Sequence, residues 1–250
     1  MQIQLDLALS VAKDLERSDL NEDAFDIGTE GNTYALSDGA SESYDSKSWA
    51  RLLVEKFTED SAFNSEWVVS VQKKYESNVD FQSLSWSKQL AFERGSFATL
   101  LGLNHSENFV KIFSIGDCLA VHIRHDSYLD SYPFHNPEQF DSRPELLSTL
   151  AHLNTFTDDS QFINEEHSIQ WQLEKGDLIY MLTDAVGQWF LREIESEKSS
   201  IKVLSEVTNE DDFLSLITTL RSERRVKLDD STMLRFIVKV DEIENGLSND

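Results

Sequence analysis

An α+β layered domain is the fold class that this sequence predicts, and three observations predict it. Strand-like patterns cluster at both ends and in the middle of the chain, and helical patterns are inserted in blocks rather than alternating one for one with strands. Glycine and proline are scarce, nine and three in 250 residues, which argues against a linker-rich chain. The 40% hydrophobic and 10% aromatic content supplies a sizeable core, with no internal repeat to divide it. The expectation is one domain over 1–250.

The elements follow in order. In "IQLDLAL", Ile3, Leu5, Leu7 and Leu9 alternate with polar or small residues, the pattern of a half-buried strand facing one way. "NTYALSD" is a second short strand that stops at Asp38-Gly39. Ser46 or Ser48 can cap the next helix, whose Trp49, Ala50, Leu53, Val54 and Phe57 form a wide buried stripe. Helical pattern continues through 66–79 and 83–94. "ENFVKIFSIGDCLAVHIRH" reads as strands Phe109–Ile115 and Leu119–Arg124 joined at Gly116-Asp117 as a tight hairpin. All three prolines and no glycine fall in 126–170, which reads as a long surface excursion with a short helix near 145–153. Leu178–Leu182 is a continuous apolar strand that breaks at Thr183-Asp184 into a helix carrying Val186, Trp189 and Phe190. Phe213, Leu216, Ile217 and Leu220 mark another helix, and "DDSTMLRFIVKV" is an acidic pair leading into a closing strand.

Charge and composition narrow the function classes. The formal charge is −24, from 46 acidic and 22 basic residues. Such a surface is repelled by phosphate backbones and anionic leaflets, so neither nucleic acid nor membrane is expected as a partner. A hard cation is expected instead, because it relieves repulsion among clustered carboxylates. The single cysteine, Cys118, excludes an internal disulfide and a multi-cysteine zinc site. The start "MQIQLDLALSVAKDLE" lacks a basic leader segment, and no run reaches the roughly 18 apolar residues of a membrane span; the expectation is a cytoplasmic protein.

Four strand patterns carry a carboxylate at an edge: Asp38 after "YALS", Asp117 after "FSIG", Asp184 after "YMLT", and Asp229/Asp230 before "TMLRFIV". One Asp-Gly is ordinarily a turn. Strand ends in a sheet sandwich can lie side by side, however, so the four can converge. Such a cluster raises the pKa values of its members unless a divalent ion neutralises it. All-oxygen ligands select Mg²⁺ or Mn²⁺ over zinc.

The ordered set "NEDAF", "ALSDGAS", "IGDC", "LTDA" and "DDST" resembles the metal-dependent type 2C protein serine/threonine phosphatases, over roughly residues 3–240. The resemblance implies a four-layer α/β/β/α sandwich with a central antiparallel β-sandwich flanked by helices. It implies two Mn²⁺ or Mg²⁺ ions, with Asp38 bridging them, the Gly39 carbonyl, Asp184 and Asp229 as further ligands, and Glu22 holding a metal-bound water. Asp23 would orient that ligand from behind, with Asp230 beside it, and Asp117 stands where some members bind a third ion. The implied reaction is hydrolysis of phosphoserine or phosphothreonine in a phosphorylated protein by a metal-bridging hydroxide, with no nucleophilic side chain. No G-x-S-x-G, P-loop or cysteine phosphate loop is present to suggest another route.

Departures from the family pattern are visible. Ser18 stands where many members have a phosphate-binding Arg, which makes Arg17, one place earlier, the candidate phosphate ligand. Ala40 replaces a His that can serve as general acid, and Ala185 replaces a common Gly. These changes point to a divergent bacterial-type branch. They leave open a catalytically weak phosphatase-like binding or regulatory module, and hydrolysis of a small phosphorylated metabolite. His122 and His125, three apart on a strand, face opposite sides and read as structural, and Trp49 and Trp189 as core. Residues 132–149 read as a flap beside the site, with Arg143 a candidate contact for phosphate or an acidic peptide.

Overall fold

The computed structural model describes residues 1–41, 43–158, 167–196 and 200–240. In chain order the strands are β1 (Gln2–Val11), β2 (Ala24–Ile27), β3 (Thr33–Ser37), β4 (Phe97–Ala98), β5 (Leu100–Ser106), β6 (Phe109–Ile115), β7 (Leu119–Arg124), β8 (Ser127–Tyr132), β9 (Leu147–Ser148), β10 (Ser168–Gln172), β11 (Leu178–Leu182) and β12 (Ser231–Lys239). The α-helices are α1 (Ser46–Glu59), α2 (Ser65–Ser77), α3 (Trp86–Glu93), α4 (Asp184–Glu195), α5 (Ser200–Glu206) and α6 (Glu210–Ser222).

Two five-stranded antiparallel sheets, β1-β12-β11-β7-β8 and β10-β6-β5-β3-β2, stack face to face. Leu36, Leu101, Ile112, Ala120, Met181 and Phe236 fill the layer between them. The outer face of the first sheet packs on α4, α5 and α6 through Trp189, Phe190, Leu204, Phe213 and Ile217. The outer face of the second packs on α1 and α2 through Trp49, Leu53, Phe57, Trp67 and Val71. This is the expected α/β/β/α order, and both tryptophans read as core are buried. Each such large apolar side chain contributes about 1.5–3 kcal/mol relative to exposure.

Four local expectations change. β1 does not face one way: a bulge at Asp6 shifts its register against β12 between Leu5 and Leu7, so Ile3 and Leu5 point into the inter-sheet layer while Leu7 and Leu9 meet the helices. An extra residue in a strand reverses every side chain after it, and the Asp6 carboxylate accepts from Arg235 Nε at 2.6 Å. Second, β6 and β7 are not a hairpin. They lie in opposite sheets, and the chain crosses between them at Gly116, Asp117 and Cys118. Gly116 has φ of 99°, and a Cβ there would fall 2.5 Å from Thr99, so the crossing requires glycine. Strands buried on both faces read as unbroken apolar runs, and that pattern does not say which sheet each joins. The hairpin partner of β6 is β5, through Glu107 and Asn108.

Third, the segment read as a surface excursion begins and ends in sheet, because β8 and β10 are edge strands. The turn near 145–153 is a 3-10 turn at Ala151–Leu153, preceded by β9, which pairs with β4. Residues 159–166 of the excursion lie outside the described residues. Fourth, His125 sits in the β7–β8 turn with φ of 51° rather than on a strand, while buried His122 bonds Asp177 Oδ2 through Nε2 at 2.8 Å. Among the described residues no helix is long and apolar enough to cross a membrane.

Candidate functional site

Ladder register places the acidic residues. In the first sheet Leu182 pairs with Met233 on one side and Leu119 on the other. The residues just beyond, Thr183 and Asp184 after β11, Asp229 and Asp230 before β12, and Asp117 before β7, therefore leave the sheet at one end. In the second sheet Leu36 pairs with Leu101, Leu100 with Ile115, and Ser37 with Ala24. Asp38, Thr99 and Asp23 accordingly emerge together. The short β6–β7 crossing brings these two ends into register with each other. Asp38, Gly39, Asp117, Asp184 and Asp229 line one cleft of about 150 Å³, with Ala40, Ser41, Thr99, Pro144 and Leu146.

Hydrogen bonds hold each acid in place. The Asp38 amide donates to Thr99 Oγ1 at 2.7 Å, and the Thr99 amide returns a bond to the Asp38 carbonyl at 2.9 Å. A Cβ on Gly39 would lie 2.9 Å from both the Glu22 carbonyl oxygen and Ser46 Cβ, so the bare glycine backbone lets three segments meet beside the cleft. Asp230 is buried and accepts from the amides of Lys13 at 2.6 Å and Glu22 at 2.8 Å, one on each oxygen. It ties the "NED" segment to the end of β1. Thr232 Oγ1 donates to Asp23 Oδ2 at 2.6 Å. Glu22 accepts from Lys13 Nζ and Ser41 Oγ, each at 2.6 Å, on Oε2 and from Ser46 Oγ at 2.5 Å on Oε1. Asp184 Oδ2 pairs with Lys227 Nζ, while its Oδ1 is buried without a hydrogen-bond partner.

The electrostatics are those of crowded like charges. Burial, followed by repulsion from Asp23, Asp184, Asp229 and Asp117, pushes the Asp38 carboxyl well above the usual range. Burial and the charge of Asp184 raise Asp117 to about 6 and also raise Asp229. Asp23 is raised by burial and by Asp230 and Asp184, against the pull of the Thr232 hydroxyl. Glu22 goes the other way. Burial would raise it, but the bonds from Lys13, Ser41 and Ser46 outweigh burial and lower it.

This donor set fits a divalent cation by chemistry. It is all oxygen, it carries mutual repulsion, and the inward oxygen of Asp184 is unsatisfied. Among the described residues no three acids close on one point as the ligands of an ion do. The cations at the cleft are instead side chains, Lys227 on Asp184 and Lys13 on Glu22.

Arg17 does not line the cleft; its Nε bonds Asp19 Oδ1 at 3.4 Å on the exposed 3-10 segment Leu15–Leu20. Lys13 and Lys227 are the basic residues that sequence reasoning missed. Their only signal is position, Lys13 at the end of the first strand pattern and Lys227 two residues before Asp229. Thr99, Ser41 and Ser46 were likewise invisible as isolated hydroxyls.

No protein-family profile and no curated protein matches the chain. Solved structures do match. The Mycobacterium tuberculosis serine/threonine phosphatase PstP/Ppp is 14% identical over 95% of this chain and 99% of that one, with a TM-score of 0.62. The catalytic domain of PstP in complex with two manganese ions gives 14%, 95%, 99% and 0.59, and the S. agalactiae serine/threonine phosphatase 15%, 95%, 100% and 0.55. At such identities the likeness is one of fold, and it extends over nearly the whole chain.

Proposed function

We propose that this chain, folded as the serine/threonine phosphatases it resembles, is itself a Mn²⁺- or Mg²⁺-dependent protein phosphatase acting on phosphoserine or phosphothreonine. The observation that carries the reading is the convergence of Asp38, Asp117, Asp184 and Asp229, from four separate segments, on one cleft. A scaffold has no need of such a repulsive cluster. The ligands would be Asp38, the Gly39 carbonyl, Asp184 and Asp229, with Glu22 holding a water and Asp117 serving a third ion. Divalent ions, when bound there, would supply an activated water and charge neutralisation for the phosphoryl group.

The chain's own residues do the positioning. Asp230 fixes the Glu22 backbone, Thr232 orients Asp23, and Thr99 pins Asp38. Lys13, bonded to Glu22 and Ser41, and Lys227, bonded to Asp184, are the basic side chains that would meet an entering phosphate dianion. Ala40 has no proton to give, so protonation of the leaving oxygen would fall to water or to another side chain. We assign the whole chain to one cytoplasmic domain with a phosphorylated protein as substrate and no nucleic-acid partner.

The test is phosphate release from an aryl phosphate and a phosphopeptide with Mn²⁺ or with chelator. Metal-dependent turnover that Asp38→Asn abolishes supports the enzyme. A second reading, a phosphatase-like binding or regulatory module, draws on Lys227 already neutralising Asp184. No turnover at any metal level, with a melting temperature that still rises with Mn²⁺, selects it.

A further inference from the structure

A second, larger groove opens directly from the cleft. It shares Ala40, Ser41, Pro144 and Leu146 with it and has a volume of about 1130 Å³, above the roughly 300–1,000 Å³ of small-molecule pockets. Half-buried Phe97 and Leu146 contribute to its apolar lining, and three cations stand around it: Lys88 on α3, Arg94 capping that helix, and Arg143 on the segment between β8 and β9. Among the described residues none of the three has an ion pair or a side-chain hydrogen bond, and Glu145 is the one acid in the lining. On a chain of charge −24 this is a local reversal of sign. Screening over about 8 Å at physiological salt lets these nearby charges outweigh acidic residues elsewhere on the surface, and the four carboxylates of the adjoining cleft are the ones that the phosphatase reading gives to cations.

We propose that this groove binds the acidic stretch of polypeptide that flanks the phosphorylated residue, so that Lys88, Arg94 and Arg143 select phosphoproteins rich in Asp and Glu beside the phosphosite. The proposal rests on the phosphatase reading of the adjoining cleft and adds its substrate class. The size of the groove and its continuity with the cleft favour an extended peptide over a small phosphorylated metabolite. Its cationic rim distinguishes acidic from neutral sequences. Helix α3 has no fully buried residue and is anchored through Phe92, which packs on Tyr75 of the core.

Two phosphothreonine peptides of equal length test it, one flanked by Asp and Glu, the other by Asn and Gln. With Mn²⁺ the native chain is expected to favour the acidic peptide by about tenfold in kcat/KM, mostly through KM, since three exposed ion pairs each add a modest factor. The preference should shrink in about 0.5 M salt. The combined variant Lys88→Ser, Arg94→Ser, Arg143→Ser should reduce it to less than about twofold. Equal use of both peptides by the native chain, or a preference that survives in the variant, overturns the proposal. If neither the peptides nor an aryl phosphate is hydrolysed, the phosphatase reading fails by itself. Fluorescence anisotropy of the same two peptides, labelled and unphosphorylated, then decides the groove: acidic-selective binding lost in the variant supports it, and equal or absent binding overturns it.

Discussion

Asp184, the first residue of α4, holds the ammonium of Lys227 on one carboxylate oxygen and buries the other without a partner. A lysine therefore stands on a carboxylate that the phosphatase reading gives to a divalent ion. Lys227→Met should destabilise the metal-free protein by about 1–2 kcal/mol, less than for a buried pair because the lysine is 46% exposed. It should also enlarge the rise in melting temperature on adding Mn²⁺. Calorimetry with and without the ion checks both; an unchanged Mn²⁺ response counts against competition between lysine and metal.

Mild acid should relieve the repulsion among the cleft carboxylates of the metal-free chain. Asp117, at about 6, and Asp38, Asp229 and Asp23 all have folded-state values raised above those of the unfolded chain. Asp117 then holds more protons in the native state than in the unfolded one between about pH 4 and 6, so its contribution to stability falls as pH rises through that window, and the other three act in the same direction. For Asp117 alone the loss is about 3 kcal/mol at most. A bound cation favours the charged forms, so the Mn²⁺-induced rise in melting temperature should be larger at about pH 7.5 than at about pH 5. Thermal melts across that range, with and without Mn²⁺, measure the effect; a pH-independent response contradicts it.

Asp230 acts through two backbone amides. Asp230→Ala leaves the amides of Lys13 and Glu22 without acceptors and should cost about 3 kcal/mol. Asp230→Asn retains one strong acceptor and should cost less. Urea unfolding separates the two; equal losses would mean that the pair of bonds is not what matters.

Two basic residues compete for the part of phosphate ligand. Lys13→Ala should raise the KM for an aryl phosphate about tenfold, corresponding to ~1.4 kcal/mol. Arg17→Ala, on a side chain paired with Asp19 away from the cleft, should change it less than about twofold. The opposite ranking would restore the arginine that the sequence suggests.

Within the sequence alone, each acid of the site was legible because its signal is local: an apolar strand that ends on Asp38, Asp117 or Asp184, or starts after Asp229. The helical stripes of Trp49 to Phe57 and Phe213 to Leu220 were legible for the same reason. Pairing between strands was not. Phe109–Ile115 and Leu119–Arg124 look alike in sequence because both are mostly buried, with Lys111 the exposed exception, and only the folded chain sends them to opposite sheets. The bulge at Asp6 shifts a register that alternation by itself cannot reveal. The cations on Glu22 and Asp184 come from residues 9 and 43 positions away, and a lone lysine carries no periodicity. Local order is written along the chain, whereas the partners of a charge depend on which strand ends the packed sheets bring together.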